Sequence, residues 1–148
     1  MALSWKRAGI VDEVIAFGHN PATLQKALDK GAADTVTTSM EEAVKDADIV
    51  VSAVPVEAME SVFTEMAPFL KSDAVVTDVG STRQTVIAAA RKGLGDKFHQ
   101  YAPAHPIAGG EMPGVDYASA DLFDEKVVIS TPDEGMDPKV DLHRRGVA

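Results

Sequence analysis

The residues with the clearest chemical potential are His105-Pro106-Ile107-Ala108-Gly109-Gly110, with Gly114 and Asp121-Leu122-Phe123 downstream. They follow a series of strand and helix patterns, so the histidine falls at the mouth of what reads as a nucleotide-binding sheet. A histidine placed there can take a proton from a substrate hydroxyl while a hydride leaves for a nicotinamide ring. Imidazole suits that work, because its ordinary pKa of about 6.5 leaves it mostly neutral near pH 7. A second cluster, Thr77-Asp78-Val79-Gly80-Ser81, ends the preceding apolar run. Each residue also has a plainer use. A lone histidine before a proline in a loop is more often structural than catalytic, Ser81 can cap a helix that begins near Thr82, and Asp78 can brace its turn. Gly109, Gly110 and Gly114 allow tight turns and close backbone approach. His99 reads as strand-borne and structural, and His143 falls in an unpatterned tail. No histidine and carboxylate share metal-ligand spacing, so a metal site is not expected.

The elements that must position these groups alternate in type. Residues 2–8 read as the end of a helix, with Lys6 and Arg7 at its negative pole and Gly9 as its stop. Val14 to Phe17 is a short strand. Asn20 as cap and Pro21 as first residue then open a helix to about residue 30. Thr35 to Thr38 is β-branched, and Ser39 with Glu42 forms a capping-box pattern. Asp48 to Val54 and Ala74 to Val79 are nearly continuous apolar runs, as in a parallel sheet covered on both faces. Helices are expected over about 56–69 and 82–93, and further strands over Phe98–Ala102 and Val127–Ser130. Residues 103–122 read as a Gly/Pro-rich loop with one helical turn.

This is an α/β pattern, a Rossmann-like doubly wound and mostly parallel sheet. Ligands of such sheets bind beyond the carboxyl ends of the strands. Gly18 and His19, Val54 to Val56, Asp78 to Ser81, and His105 all fall at such ends. Four ends opening one way carry more weight than any single motif.

At 148 residues the chain has the size of one domain, and its 45% hydrophobic and 25% charged content is ordinary for a globular protein. A net charge of −9 argues against nucleic acid or an anionic membrane as partner. The absence of cysteine rules out disulfides and thiolate chemistry, and fits a reducing compartment. No apolar run reaches the roughly 20 residues that span a bilayer. The N-terminus has no signal-peptide pattern, so a cytoplasmic location is expected.

The paired motifs, Thr77 to Ser81 and His105 to Gly109 with Gly114 and Asp121-Leu122-Phe123, resemble the nucleotide-binding domain of the prephenate/arogenate dehydrogenase family. The likeness runs from about Ala2 to Pro138, with residues 139–148 as a tail. It implies a small cyclohexadiene substrate, prephenate or arogenate, with a ring hydroxyl and a ring carboxylate at opposite positions. By the same resemblance His105 would accept the hydroxyl proton as hydride passes to NAD or NADP. Loss of CO2 would then leave an aromatic ring, a step of tyrosine biosynthesis. Ser81 would hydrogen-bond the substrate hydroxyl or orient the histidine, and Pro106, Gly109 and Gly110 would form the substrate loop. Gly18, His19, Asn20, Val54, Pro55, Val56, Asp78 and Gly80 would line the cofactor. The resemblance also implies a helical second domain that makes a homodimer and supplies cations for the substrate carboxylates; the sequence ends before such a domain.

Two departures from that pattern stand out. The first visible strand normally ends in an acidic residue that binds the adenosine ribose, and Gly18-His19-Asn20 stands there instead. Without that carboxylate a 2′-phosphate is not repelled, which brings in NADP, although an Asn-Pro helix start explains Asn20 by itself. The strand and Gly-x-Gly-x-x-Gly turn that hold the pyrophosphate are also missing from the sequence. In the usual order 3-2-1-4-5-6 that strand is central, so two strand edges are expected to stand unpaired or to close on each other. A fragment with little turnover by itself is therefore expected. A β-hydroxyacid dehydrogenase, which shares the Asp78 to Thr82 pattern, and a non-catalytic remnant are the competing readings.

Overall fold

The computed structural model describes residues 1–107, 115–122, 124, 128–130 and 134–137. Helix α1 (Ala2–Arg7) ends on Lys6 and Arg7, and Gly9 follows with a φ of 69°. Strand β1 (Ile15–Phe17) leads to α2 (Pro21–Asp29). There the Asn20 Oδ1 accepts from the backbone N–H groups of Ala22 (2.9 Å) and Thr23 (3.3 Å). Next come β2 (Thr35–Thr37), α3 (Met40–Val44), β3 (Ile49–Ser52) and α4 (Val56–Met66), which tightens into a 3-10 turn over Ala67–Phe69. Strand β4 (Val75–Asp78) and α5 (Arg83–Leu94) complete the alternation.

The start of α3 forms only half of the expected capping box. Ser39 Oγ accepts from the Glu42 N–H at 3.3 Å. The Glu42 carboxylate instead takes the Thr37 hydroxyl at 2.8 Å, and that same oxygen accepts the Ser39 N–H at 3.0 Å. A threonine two residues upstream replaces the reciprocal bond.

The strand expected over Phe98–Ala102 is not one. A 3-10 helix covers Gly95–Gln100, and only Tyr101 pairs with the sheet, through a single parallel bridge to Val76. Residues three apart eclipse in a 3-10 helix. Phe98 and Tyr101 therefore bury together, which imitates a short apolar strand. The Gln100 amide fixes the segment by donating to the carbonyls of Lys71 and Ala74, each at 2.8 Å. The strand that does form is β5 (Ala104–Pro106), so His105 sits on a strand rather than in the Gly/Pro loop; the helical turn is Val115–Tyr117. Strand β6 (Val128–Ser130) falls where a strand was expected.

Strands β1 and β2 pair in parallel, as do β3 and β4, while β5 and β6 are antiparallel. Among the described residues no ladder joins β1 to β3, so neither edge closes on the other. Helices cover the β3–β4 pair on both faces. Val76 faces a core built from α3, α4 and α5 with Met59, Phe63, Val86, Leu94 and Tyr101. Val75 faces a smaller cluster with Ala102 and Ala104, against which Trp5 of α1 and Ile49 pack. All four residues of β4 are buried, which is why its sequence lacks alternation. The α4–α5 contact is close because Gly93 has no side chain: a Cβ there would lie 2.6 Å from Phe63 Cβ and 2.8 Å from the Glu60 carbonyl. Among the described residues no helix is long and apolar enough to cross a membrane.

Candidate active site

The site grows from the carboxyl ends of β3, β4 and β5. Parallel register sets Ser52 opposite Asp78. A single parallel bridge joins Val76 of β4 to Tyr101, and β5, which carries His105, continues from there beside β4. The turn after β4 and the histidine on β5 both lie downstream of that bridge.

Asp78 organises the turn. It is 0% exposed, yet every oxygen is engaged. Oδ1 accepts the Gly80 N–H (2.7 Å) and Nη2 of Arg83 (2.5 Å), and Oδ2 accepts the Tyr101 hydroxyl (2.5 Å). Arg83 Nη2 also donates to the Gly80 carbonyl at 2.8 Å. A buried carboxylate so paired is a brace, because removing one partner leaves a charge stranded away from water. Burial first, and the Asp78 charge second, push the Tyr101 phenol far above its usual range, so it remains a donor. Neither Tyr101 nor Arg83 stands out as functional in the sequence. Tyr101 was hidden by its apparent strand, and Arg83 looked like any arginine at a helix start.

Ser81 is exposed, and its side chain makes no cap: Thr82 is the residue before α5 and provides no side-chain cap either. The helix-capping alternative for Ser81 is therefore not what this fold uses. His105 is half-buried on β5, opposite Ile129 of β6, and its Nδ1 is buried without a partner. Ser52 Oγ, Thr77 Oγ1 and the Nε and Nη1 of Arg83 are likewise buried and unpartnered. Native interiors rarely leave such groups unsatisfied, and where they do the cause is often a missing water, ion or ligand.

The other expected site residues follow or close the carboxyl ends of β1, β3 and β5. Val54 and Val56 are half-buried against the larger core on either side of Pro55, which precedes α4. Gly18 follows β1, donating its N–H to the Thr37 carbonyl at 3.3 Å. His19 is exposed and meets the Phe17 ring edge to face at 5.2 Å between centroids. Asn20 caps α2 as described above, which commits its Oδ1 to the backbone. Pro106 ends β5, and Ile107 beyond it is 49% exposed. Gly109, Gly110, Gly114 and Phe123 lie outside the described residues. Among the described residues no group of three or more His, Asp or Glu side chains could hold a metal.

The expected groups fall in two places: Gly80, the orphaned polar atoms and Val54 to Val56 around β3, β4 and β5, and Gly18 to Asn20 after β1. The described residues contain no Gly-x-Gly-x-x-Gly cradle for the pyrophosphate. Helices on both faces of parallel strands, with a polar turn after β4 and a histidine on the strand beside it, define a dehydrogenase-type nucleotide-binding domain.

The profile of the family described as "Prephenate dehydrogenase, nucleotide-binding domain" matches residues 1–144. The chain belongs to this family, one of NAD-dependent oxidoreductases. It is 43% identical over 100 residues to the cyclohexadienyl dehydrogenase of Zymomonas mobilis, a match covering 68% of this chain and 33% of that protein. It is 35% identical over 138 residues to the prephenate dehydrogenase of Bacillus subtilis, covering 93% of this chain and 37% of the relative. The chain thus spans about a third of the length of these relatives. Among solved structures, the prephenate dehydrogenase of A. aeolicus in complex with hydroxyphenyl propionate and NAD+ superposes with a TM-score of 0.87 at 32% identity, over 99% of this chain and 50% of the other. The arogenate dehydrogenase of Synechocystis gives a TM-score of 0.85 at 25% identity over the same shares.

Proposed function

We propose that these residues form the nucleotide-binding half of a dehydrogenase that oxidatively decarboxylates prephenate or arogenate. The observation that carries this reading is the histidine on β5, the strand beside β4, together with the braced Gly80–Ser81 turn that follows β4 and the unpartnered polar atoms of Ser52, Thr77, Arg83 and His105. The relatives act on compounds of this class by name, and the A. aeolicus enzyme binds NAD+.

In this reading His105 accepts the proton of the substrate ring hydroxyl through an imidazole nitrogen. The exposed Ser81 hydroxyl holds that oxygen beside the histidine. Arg83 offers its unpaired nitrogens to the same end of the sheet, while Asp78 fixes its other face. The nicotinamide, when bound, supplies the hydride acceptor. Val54, Pro55 and Val56 bound its pocket with apolar surface, and Gly80 allows the backbone to approach. Pro106, Gly109 and Gly110 contact the substrate, and a helical second domain supplies cations for its carboxylates and makes the homodimer.

The same reading extends to the adenosine end. No carboxylate stands at Gly18, and packing does not forbid one: a Cβ there would meet only Leu24, at an ordinary 3.4 Å. NADP is therefore accepted beside NAD. Titration of the chain with NAD+, NADP+ and their reduced forms tests the binding half of the proposal. Binding of both forms is expected, with little turnover of prephenate or arogenate by these residues alone. Failure to bind either form would favour a non-catalytic remnant.

A further inference from the structure

We infer that Tyr101 is a positioning residue, its hydroxyl setting the Asp78 carboxylate that holds the Gly80–Ser81 turn in place. The inference rests on the reading of that turn as the nicotinamide side of the site. Tyr101 is 0% exposed and lies on the bridge to Val76, so its ring cannot swing out of the core. Phe63 and Phe98 fix the ring, each with its centroid 5.8 Å away. The hydroxyl then reaches Asp78 Oδ2 at 2.5 Å.

A carboxylate is planar, so fixing Oδ2 also aims Oδ1. Oδ1 is the atom that receives the Gly80 N–H at 2.7 Å and Arg83 at 2.5 Å. The chain of contacts therefore runs from a rigid aromatic cluster, through one side chain, to the backbone of the turn and the first residue of α5. Without the hydroxyl, Asp78 keeps its charge partner but gains freedom to rotate. The turn loses its register before the core loses its packing.

Among the described residues the phenol meets the Asp78 carboxylate and the Arg83 guanidinium that the same carboxylate holds. A phenylalanine would fill the same space between Phe63 and Phe98 and would serve the core as well. The polar contacts to Asp78 and its partner Arg83 distinguish tyrosine there. Burial and the neighbouring carboxylate keep the phenol protonated through the working pH range, so the bond is permanent rather than a switch.

The test is amide hydrogen exchange by NMR on the chain and its Tyr101→Phe variant, with NADH and NADPH titrations followed by nicotinamide fluorescence. The Gly80 amide should exchange about tenfold faster in the variant, the scale of one lost hydrogen bond. The Ala102 amide, bonded to the Val76 carbonyl at 2.8 Å, should change less than about twofold. Reduced-cofactor affinity should weaken several-fold. Asp78→Asn serves as the second variant, and adding Tyr101→Phe to it should weaken affinity no further, because both act through one carboxylate. Unchanged Gly80 exchange would overturn the inference, as would equal acceleration at Gly80 and Ala102, which marks a merely structural tyrosine. Faster Gly80 exchange with unchanged cofactor affinity would overturn it too. Failure of the unsubstituted chain to bind either cofactor would count against the functional reading instead, and Gly80 exchange would still decide the role of Tyr101 in the turn.

Discussion

Replacing Gly93 with alanine should loosen the packing of α4 against α5, and its size follows from the geometry. The added methyl would sit 2.6 Å from Phe63 Cβ, 2.8 Å from the Glu60 carbonyl oxygen and 3.1 Å from the Thr64 nitrogen. Two of these are backbone atoms of the facing helix, so no rotamer change relieves the clash. The helices must move apart, in a core where Phe63 is 0% exposed and Leu94 is 2% exposed. Overpacking of this kind costs about 1–3 kcal/mol, and backbone contact puts it near the top of that span. Alanine also favours helix over glycine by up to about 1 kcal/mol, less near a helix end such as this one. The net expectation is a loss of about 2 kcal/mol. Urea unfolding should show the midpoint falling by about 1 M with an unchanged slope, for a slope of about 2 kcal/mol/M. A midpoint unchanged or raised would refute the close-approach reasoning, since the propensity gain would then have met no opposition.

Other outcomes follow from single contacts. Asn20→Ala should cost about 1 kcal/mol in thermal or urea unfolding, because two N–H groups at the start of α2 lose their acceptor. Lys26→Ala should change stability by less than about 1 kcal/mol, since its pair with Asp116 at 2.8 Å is more than half exposed on both sides. The raised pKa of Tyr101 gives stability that is complete below the unfolded tyrosine value of about 10 and is lost as pH rises above it, because only the unfolded phenol gives up its proton there. Alkaline unfolding curves of Tyr101→Phe should lack this component. Gly18→Asp should lower NADP affinity relative to NAD by about tenfold or more in paired titrations, because a carboxylate beside the ribose repels a 2′-phosphate.

Much of this arrangement is legible in the sequence because local chemistry and global fold agree. Asn20-Pro21 announces α2, and the unbroken apolar runs at Ile49–Ser52 and Val75–Asp78 announce strands covered on both faces. The errors arise where tertiary contact decides. Phe98 and Tyr101 read as strand because both are apolar and close together, yet the Gln100 amide and a 3-10 period set their conformation. The proline, alanine and glycine around His105 read as loop, and only pairing with β6 makes a strand of it. Asp78 and Ser81 were visible as a motif. Their division of labour was not, since the brace depends on a tyrosine 23 positions away. Ser81 as helix cap was reasonable on local grounds, and the exposed hydroxyl shows that α5 starts without it.

The most direct test of the central claim is hydride transfer from prephenate or arogenate to NAD+ by the complete dehydrogenase carrying this domain, with His105 and with His105→Asn. If His105 is the proton acceptor, the substitution should slow turnover by about 10²–10⁴-fold and leave cofactor affinity intact. Turnover within a few-fold of the parent would contradict the account.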